Sequence, residues 1–256
     1  MIEFARIGAA AVLTGWLGVA LAAPDEALSE TRKVDGRIVR VKIEGPVDLK
    51  LRQGPLPSLV LTGERAVLAK ITSDQHGDTI TIATETSAFR FGRKKNGVRA
   101  ELTLPALREV SSDSLGSTEI SGFSGDEIEL KLEGAGSMKA NFSYRVVNAV
   151  LGGVGRMDID AGNAEGLELD LRGAGFMSLR GGGKWLKASL GGLGSLDARL
   201  FVAETVTLDL SGLGNATVAA RQNANLSLSG LGSVTVYGKP VNRSVSVDGL
   251  GKVNWK

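Results

Sequence analysis

Between residues 206 and 236 apolar and polar side chains trade places at almost every step. Val206, Leu208 and Leu210 lead to Gly212, and Gly214 is followed by Ala216 and Val218. Leu226 and Leu228 lead to Gly230, and Gly232 is followed by Val234 and Val236. The positions between them, Thr207, Asp209, Ser211, Asn215 and Thr217, are polar. A period of two belongs to a strand with one buried face, whereas a helix would show a period of 3.6. Leu167, Leu169, Leu171, Met177 and Leu179 repeat the alternation, as do Ile128, Leu130, Leu132 and Met138.

The alternation is reset at a Gly-apolar-Gly triplet. Copies start at Gly134, Gly153, Gly173, Gly192, Gly212, Gly230 and Gly249, with a degenerate copy at Ser114-Leu115-Gly116. Successive starts lie 20, 19, 20, 19, 20, 18 and 19 residues apart. A unit of this length with strands and no helix is too short for a propeller blade and fits one turn of a solenoid. The expected fold is all-β: a right-handed parallel β-helix with rungs of 19–20 residues, the hand following from the preference of parallel crossovers. Rungs stacked at about 4.8 Å place the eight triplets along roughly 34 Å. A glycine recurring at each corner is explained by a positive φ or by a lack of space for a Cβ. The middle residues Leu115, Ala135, Val154, Ala174, Leu193, Leu213, Leu231 and Leu250 have the parity opposite to the core. They are expected to turn inward at the bent corner, because an exposed Leu column invites aggregation.

Residues 34–107 carry a looser form of the pattern, read as amino-terminal rungs or a β-rich cap, ahead of regular rungs over 108–256. Val39, Val41 and Ile43 lead to Gly45-Pro46 and then to Val47, Leu49 and Leu51. Leu59, Leu61 and Thr79–Ile82 are further strands, with a turn at Gly77-Asp78. Residues 1–22 read as a signal peptide. Arg6 precedes an uncharged run from Ile7 to Ala23, and Ala20-Leu21-Ala22 meets the small-x-small rule for cleavage. Cleavage after Ala23, or retention of the segment as an anchor, is the alternative, since Glu3 weakens the positive end. Residues 23–33 are expected to be a flexible linker. The mature chain is therefore placed outside the cytoplasm: periplasmic, associated with the outer envelope, or secreted.

Composition narrows the chemistry. The chain of 256 residues has no Cys, which removes disulfides and thiolate metal sites. Its 30 basic and 28 acidic residues leave a net charge of +2, too small a field to argue for nucleic acid. His76 is the only His and sits in a turn-like setting, Asp74–Asp78, so neither a triad nor a zinc site is indicated. The glycines are followed by strands and not by a helix, which excludes a phosphate loop. Asp158 and Asp160 share a strand face, but Lys139 and Ser178 neighbour Asp158 in its column. Asp170 and Asp209 are separated by Ser189. No acid pair of a sugar-cleaving site is indicated, and no catalytic, cofactor-binding or metal-binding residue is assigned. Phe89, Arg90, Phe91, Arg93, Lys94 and Lys95 read as a basic hairpin tip. Trp185, after Gly181-Gly182-Gly183, is expected to cover a rung edge from an insertion loop, and Trp255 to plug the open end of the core.

The signal peptide, the stretch Gly45-Pro46-Val47-Asp48-Leu49-Lys50-Leu51-Arg52-Gln53-Gly54 and the Gly-Leu-Gly-Ser/Asn rungs resemble the head GIN domain family of autotransporter-adhesin heads. The resemblance spans roughly Val34 to Trp255. It implies a parallel β-helix outside the cytoplasm and supplies no catalytic residue. The expected role is that of a non-enzymatic envelope or secreted protein that binds a surface glycan or an envelope protein. The alternatives are a polysaccharide lyase or hydrolase on the same scaffold, and a structural protein that stacks end to end.

Overall fold

A computed structural model describes residues 28–84 and 97–256. The expected signal peptide and the basic tip, Phe89 to Lys95, lie outside the described residues. The amino-terminal part holds β1 (Leu28–Arg32), β2 (Arg40–Glu44), β3 (Val47–Gln53), β4 (Ser58–Gly63), the short helix α1 (Arg65–Leu68), β5 (Ile71–His76), β6 (Thr79–Thr84), β7 (Val98–Leu104) and β8 (Glu109–Asp113). The regular part holds β9 (Ser117–Leu132), β10 (Ser137–Leu151), β11 (Arg156–Asn163), β12 (Gly166–Leu171), β13 (Phe176–Leu190), β14 (Ser195–Leu210), β15 (Asn215–Leu228), β16 (Ser233–Tyr237), β17 (Asn242–Val247) and β18 (Lys252–Trp255).

The chain is a parallel β-solenoid of about seven turns. Ser117 pairs with Ser137, Ser137 with Arg156, Arg156 with Phe176 and Phe176 with Ser195. Ser195 pairs with Asn215, Asn215 with Ser233 and Ser233 with Lys252. These offsets are 20, 19, 20, 19, 20, 18 and 19 residues, the same series that separates the triplets. The sequence period is thus the strand register.

Each rung has a first face after the glycine corner, a far bend, and a second face leading to the next corner. Alternation sends every second side chain into one core. Met138, Met157, Met177, Leu196, Ala216 and Val234 stack in one inward column of the first face, and all are buried. Ile128, Val147, Leu167, Leu186, Val206 and Ala224 do the same on the second face. Burying each large aliphatic chain stabilises by roughly 1.5–3 kcal/mol.

The corner glycines are demanded by space. A Cβ on Gly153 would stand 2.0 Å from the carbonyl oxygen of Gly134, and one on Gly214 would stand 2.1 Å from that of Gly194. Of the described triplet glycines only Gly249 has a positive φ, so dihedral freedom is not the general cause. In the degenerate first copy the position is held by Ser114, whose Oγ accepts a 2.8 Å hydrogen bond from the Gly116 amide.

The amino-terminal strands do not stack in sequence order. β2 and β3 form a rung around Gly45-Pro46 that lies directly on the rung made by β8 and the start of β9, with Arg40 opposite Glu109 and Lys50 opposite Glu119. β6 and β7 lie on the other side of that rung. Beyond them β4 is antiparallel to both β7 and β1, and β5 turns back on β6 at Gly77 (φ 61°). The region is therefore two displaced rungs closed by an antiparallel cap. Leu28–Arg32, expected in a linker, is strand β1 of that cap, where Arg32 Nη1 donates to the Ile71 carbonyl at 2.9 Å.

At the opposite end β17 and β18 each pair on one side only among the described residues. Arg243 replaces an aliphatic residue in the column above Ala224, and its guanidinium lies 4.3 Å from the ring centroid of Trp255. The two side chains come from opposite faces and meet across the end of the core. An inward-pointing charge is a known guard against edge-to-edge pairing.

Candidate functional site

The outward columns are as regular as the inward ones, so any site on this scaffold is assembled from neighbouring rungs. On the first face Lys139, Asp158 and Ser178 form one column, and Asn141, Asp160 and Arg180 lie toward the far bend. With Arg156 they line an open groove of about 410 Å³. Arg156 grips Asp158 two residues on through both carboxylate oxygens, at 2.7 and 2.8 Å, and lies 4.7 Å over the Phe176 ring. Hydrogen bonding to Asp158 pushes the Arg156 pKa above its already high ordinary value. Asp160 accepts from the Gly162 amide at 3.3 Å. Among the described residues Lys139 and Arg180 make no ion pair. The groove thus offers two cationic donors, a carboxylate, an amide and a hydroxyl on one rigid surface. Its size is within the usual range for small-ligand sites.

A second and a third candidate region have their charged groups committed to one another. Near the amino-terminal rungs a groove of about 580 Å³ is lined by Arg40, Glu109, Glu127, Glu129, Tyr144 and Asn148 among others. Its charges are largely taken up internally: Glu109 meets Arg40 at 3.0 Å and Lys131 at 3.2 Å, and Asn148 bonds Glu127 at 2.8 Å. Tyr144 donates to the Leu107 carbonyl at 2.6 Å, and burial pushes its pKa up to about 12. On the second face Asp170 and Asp209 are two rungs apart with Ser189 between. Two rung steps are roughly 10 Å, beyond the carboxyl separations of glycoside hydrolases. Asp170 is moreover bound by Arg172. No group of three metal-ligating side chains occurs among the described residues.

His76 is exposed at the end of β5, opposite Thr79. Gly181–Gly183 is not an insertion loop but lies within β13, and only Gly181 has a positive φ (119°). Trp185 lies over Gly166 of the previous rung, where a Cβ would come within 1.9 Å of the indole. This is packing at the rung edge.

One expectation is overturned. The middle residues of the triplets point outward. Leu193 is 65% exposed, Leu213 55% and Leu231 60%, and Leu115, Val154 and Leu250 are as open or more so. Strand parity continues through the corner, because the flanking glycines face the rung below and leave the middle side chain facing solvent. The alternation along the sequence carries this outward direction, and the glycines do not reverse it.

Taken together, a stacked core, outward polar columns and an exposed apolar edge define a parallel β-solenoid. Residues 39–240 match the family described as putative auto-transporter adhesin, head GIN domain, and the chain belongs to that family. No protein of curated function matches it. Solved structures with a similar fold include a putative adhesin from Parabacteroides distasonis (TM-score 0.80, 17% identity, covering 90% of this chain and 97% of that one). A putative lipid binding protein from the same organism has TM-score 0.74 and 18% identity, with 89% and 96% covered. A putative adhesin from Bacteroides fragilis has TM-score 0.69 and 19% identity, with 91% and 98% covered. At these identities the likeness concerns the fold. No helix among the described residues is long and apolar enough to cross a membrane.

Proposed function

We propose that the mature chain is an exported, adhesin-like protein that binds its partner without transforming it, and that this partner is a polar surface glycan held across the first-face groove. The observation that carries the reading is the set of Lys139, Asn141, Asp160, Ser178 and Arg180 on adjacent rungs. Donors and acceptors repeat there at the rung spacing, which suits a polymer that offers hydroxyls and carboxylates at regular intervals. Membership in an adhesin family and the adhesin relatives support a role at a surface.

A panel of neutral and acidic glycans tests the proposal by direct binding. Arg180→Ala and Asp160→Ala are each expected to weaken the best ligand about tenfold, or about 1.4 kcal/mol. Both side chains lie on the outer surface, so the melting temperature should hold. Unchanged affinity in both variants would remove the groove from the binding site. New reducing ends or unsaturated products during incubation, with or without Ca²⁺, would instead establish a hydrolase or lyase.

A further inference from the structure

We propose that the corner ridge is a self-recognition surface: two copies of this chain meet ridge to ridge, antiparallel, with a twofold axis between the rungs of Ala174 and Leu193. The ridge is the sum of the outward middle residues, and the fold makes no use of their apolar character. A hydroxyl or amide side chain would serve the corner equally well, yet all eight positions are aliphatic. Seven of the eight corners have four residues between the strand ends, so the side chains form a continuous row of roughly 34 Å at about 4.8 Å per step. A continuous apolar strip of this extent is larger than single exposed residues and marks an interaction surface.

The order of sizes selects the partner. From the amino-terminal end the ridge reads Leu115, Ala135, Val154, Ala174, then Leu193, Leu213, Leu231, Leu250. Antiparallel pairing places Ala174 against Leu193 of the second copy, Val154 against Leu213, and Ala135 against Leu231. Small meets large at each of the three inner steps, and only Leu115 against Leu250, at the ends, is large on large. A parallel pairing would set Ala on Ala and Leu on Leu, with gaps at two rungs.

The flanking columns agree. On one side Glu133 and Arg172 face Ser229 and Gly191 of the second copy. On the other side Arg156 and Phe176 face Asn215 and Ser195. Except at the end rung of Asp248 and Lys252, each charged flanking residue of one molecule therefore meets a neutral one of the other. The one like-charged pair, Asp113 with Asp248, falls at the solvent-exposed extremity, where salt screens it. A strip about 10 Å wide buries on the order of 700 Å² in total, below the ~1,200 Å² of stable complexes, so the pairing is weak in dilute solution and favoured where copies are crowded on a surface.

The chain has no Cys, so introduced thiols give a clean readout. In the double variant Ala135→Cys/Leu231→Cys the two thiols lie five rungs apart, roughly 24 Å, and cannot bridge within one chain. The antiparallel register sets each opposite the other in the second copy. Mild oxidation with copper phenanthroline at high protein concentration is expected to give a covalent dimer on non-reducing gels, while either single variant stays monomeric. Cross-linking of Ala135→Cys alone, as fast as the double variant, would overturn the register.

Sedimentation equilibrium supplies the second readout. Leu213→Ser is expected to weaken self-association at least tenfold. Ala174→Leu, which sets Leu on Leu at the axis, is expected to weaken it about fivefold despite added apolar surface. Stronger association in Ala174→Leu, or a wild-type monomer at millimolar concentration, would overturn the proposal. So would phosphatidylcholine vesicles that bind the wild-type chain and release Leu213→Ser, since that assigns the ridge to lipid. All these side chains are exposed, so unchanged melting separates the outcomes from misfolding.

Discussion

Each rung turns twice, and the two turns obey different rules. At the seven Gly-apolar-Gly corners four residues separate the strand ends, as Leu132 from Ser137, Leu151 from Arg156, Leu190 from Ser195 and Leu210 from Asn215, and three do at the degenerate Ser114 copy. At the far bend the count varies, and the register shifts between rungs all fall there, as at Asn141/Ser143, Asp160/Asn163 and Ala198/Val202. The corner is backbone stacked on backbone, with no volume to spare. The far bend is filled mainly by side chains, including Phe123, Phe142 and Phe201, all buried, with main chain on main chain only at places such as Gly181 over Gly162. A contact between main chains fixes length, whereas a contact between side chains tolerates change.

The largest test of this difference concerns what lies inside. Leu208→Asp places an unpaired charge in the core and should cost about 4–5 kcal/mol or prevent folding. Gly214→Val drives a β-branched side chain into the Gly194 carbonyl and should cost about 3 kcal/mol or more by thermal melt. One alanine inserted after Leu213 should be comparably damaging, because it offsets every later rung. The same insertion after Arg221, in the far bend, should cost less than about 1 kcal/mol. Equal losses from the two insertions would erase the distinction.

A smaller effect belongs to Tyr144, beside Phe142 in the far bend (centroids 5.2 Å apart, edge to face). Its folded pKa is raised to about 12 from 10.0, so the neutral phenol favours the native state. That contribution is complete below pH 10 and is lost as pH rises toward 12. Tyr144→Phe should cost about 1 kcal/mol at neutral pH by leaving the Leu107 carbonyl without its donor. It should also flatten the fall in stability between pH 10 and 12. Least of all, Ser227→Thr on the exposed second face should move stability by no more than about 0.5 kcal/mol.

The same contrast explains what could be read in advance. The triplet intervals reproduce the registers because the corner leaves an imprint of glycine, set by carbonyls one rung away. The far bend has a positive-φ glycine at Gly122, Gly162, Gly181 and Gly238, but the rungs that turn at Phe142, Phe201 and Ala220 have none, so no constant stride marks its position. The stacking of β2 on β8, with Arg40 beside Glu109, also escaped detection, since nothing local indicates that the intervening chain folds back as a cap. The direction of Leu193 and its fellows was misjudged from a general rule about exposed leucine. The column of Lys139, Asp158 and Ser178 is legible in the sequence from the triplet stride. Arg156 and Arg180 joined them only when adjacent rungs were aligned.

The invariance of the corner also turns the molecule into a ruler. Because each layer touches only the layers on either side, its length can change by whole steps of about 4.8 Å and by nothing in between. Excising one complete layer should leave a shorter but sound protein with one tooth fewer along its edge. Removing half a layer should leave nothing that folds.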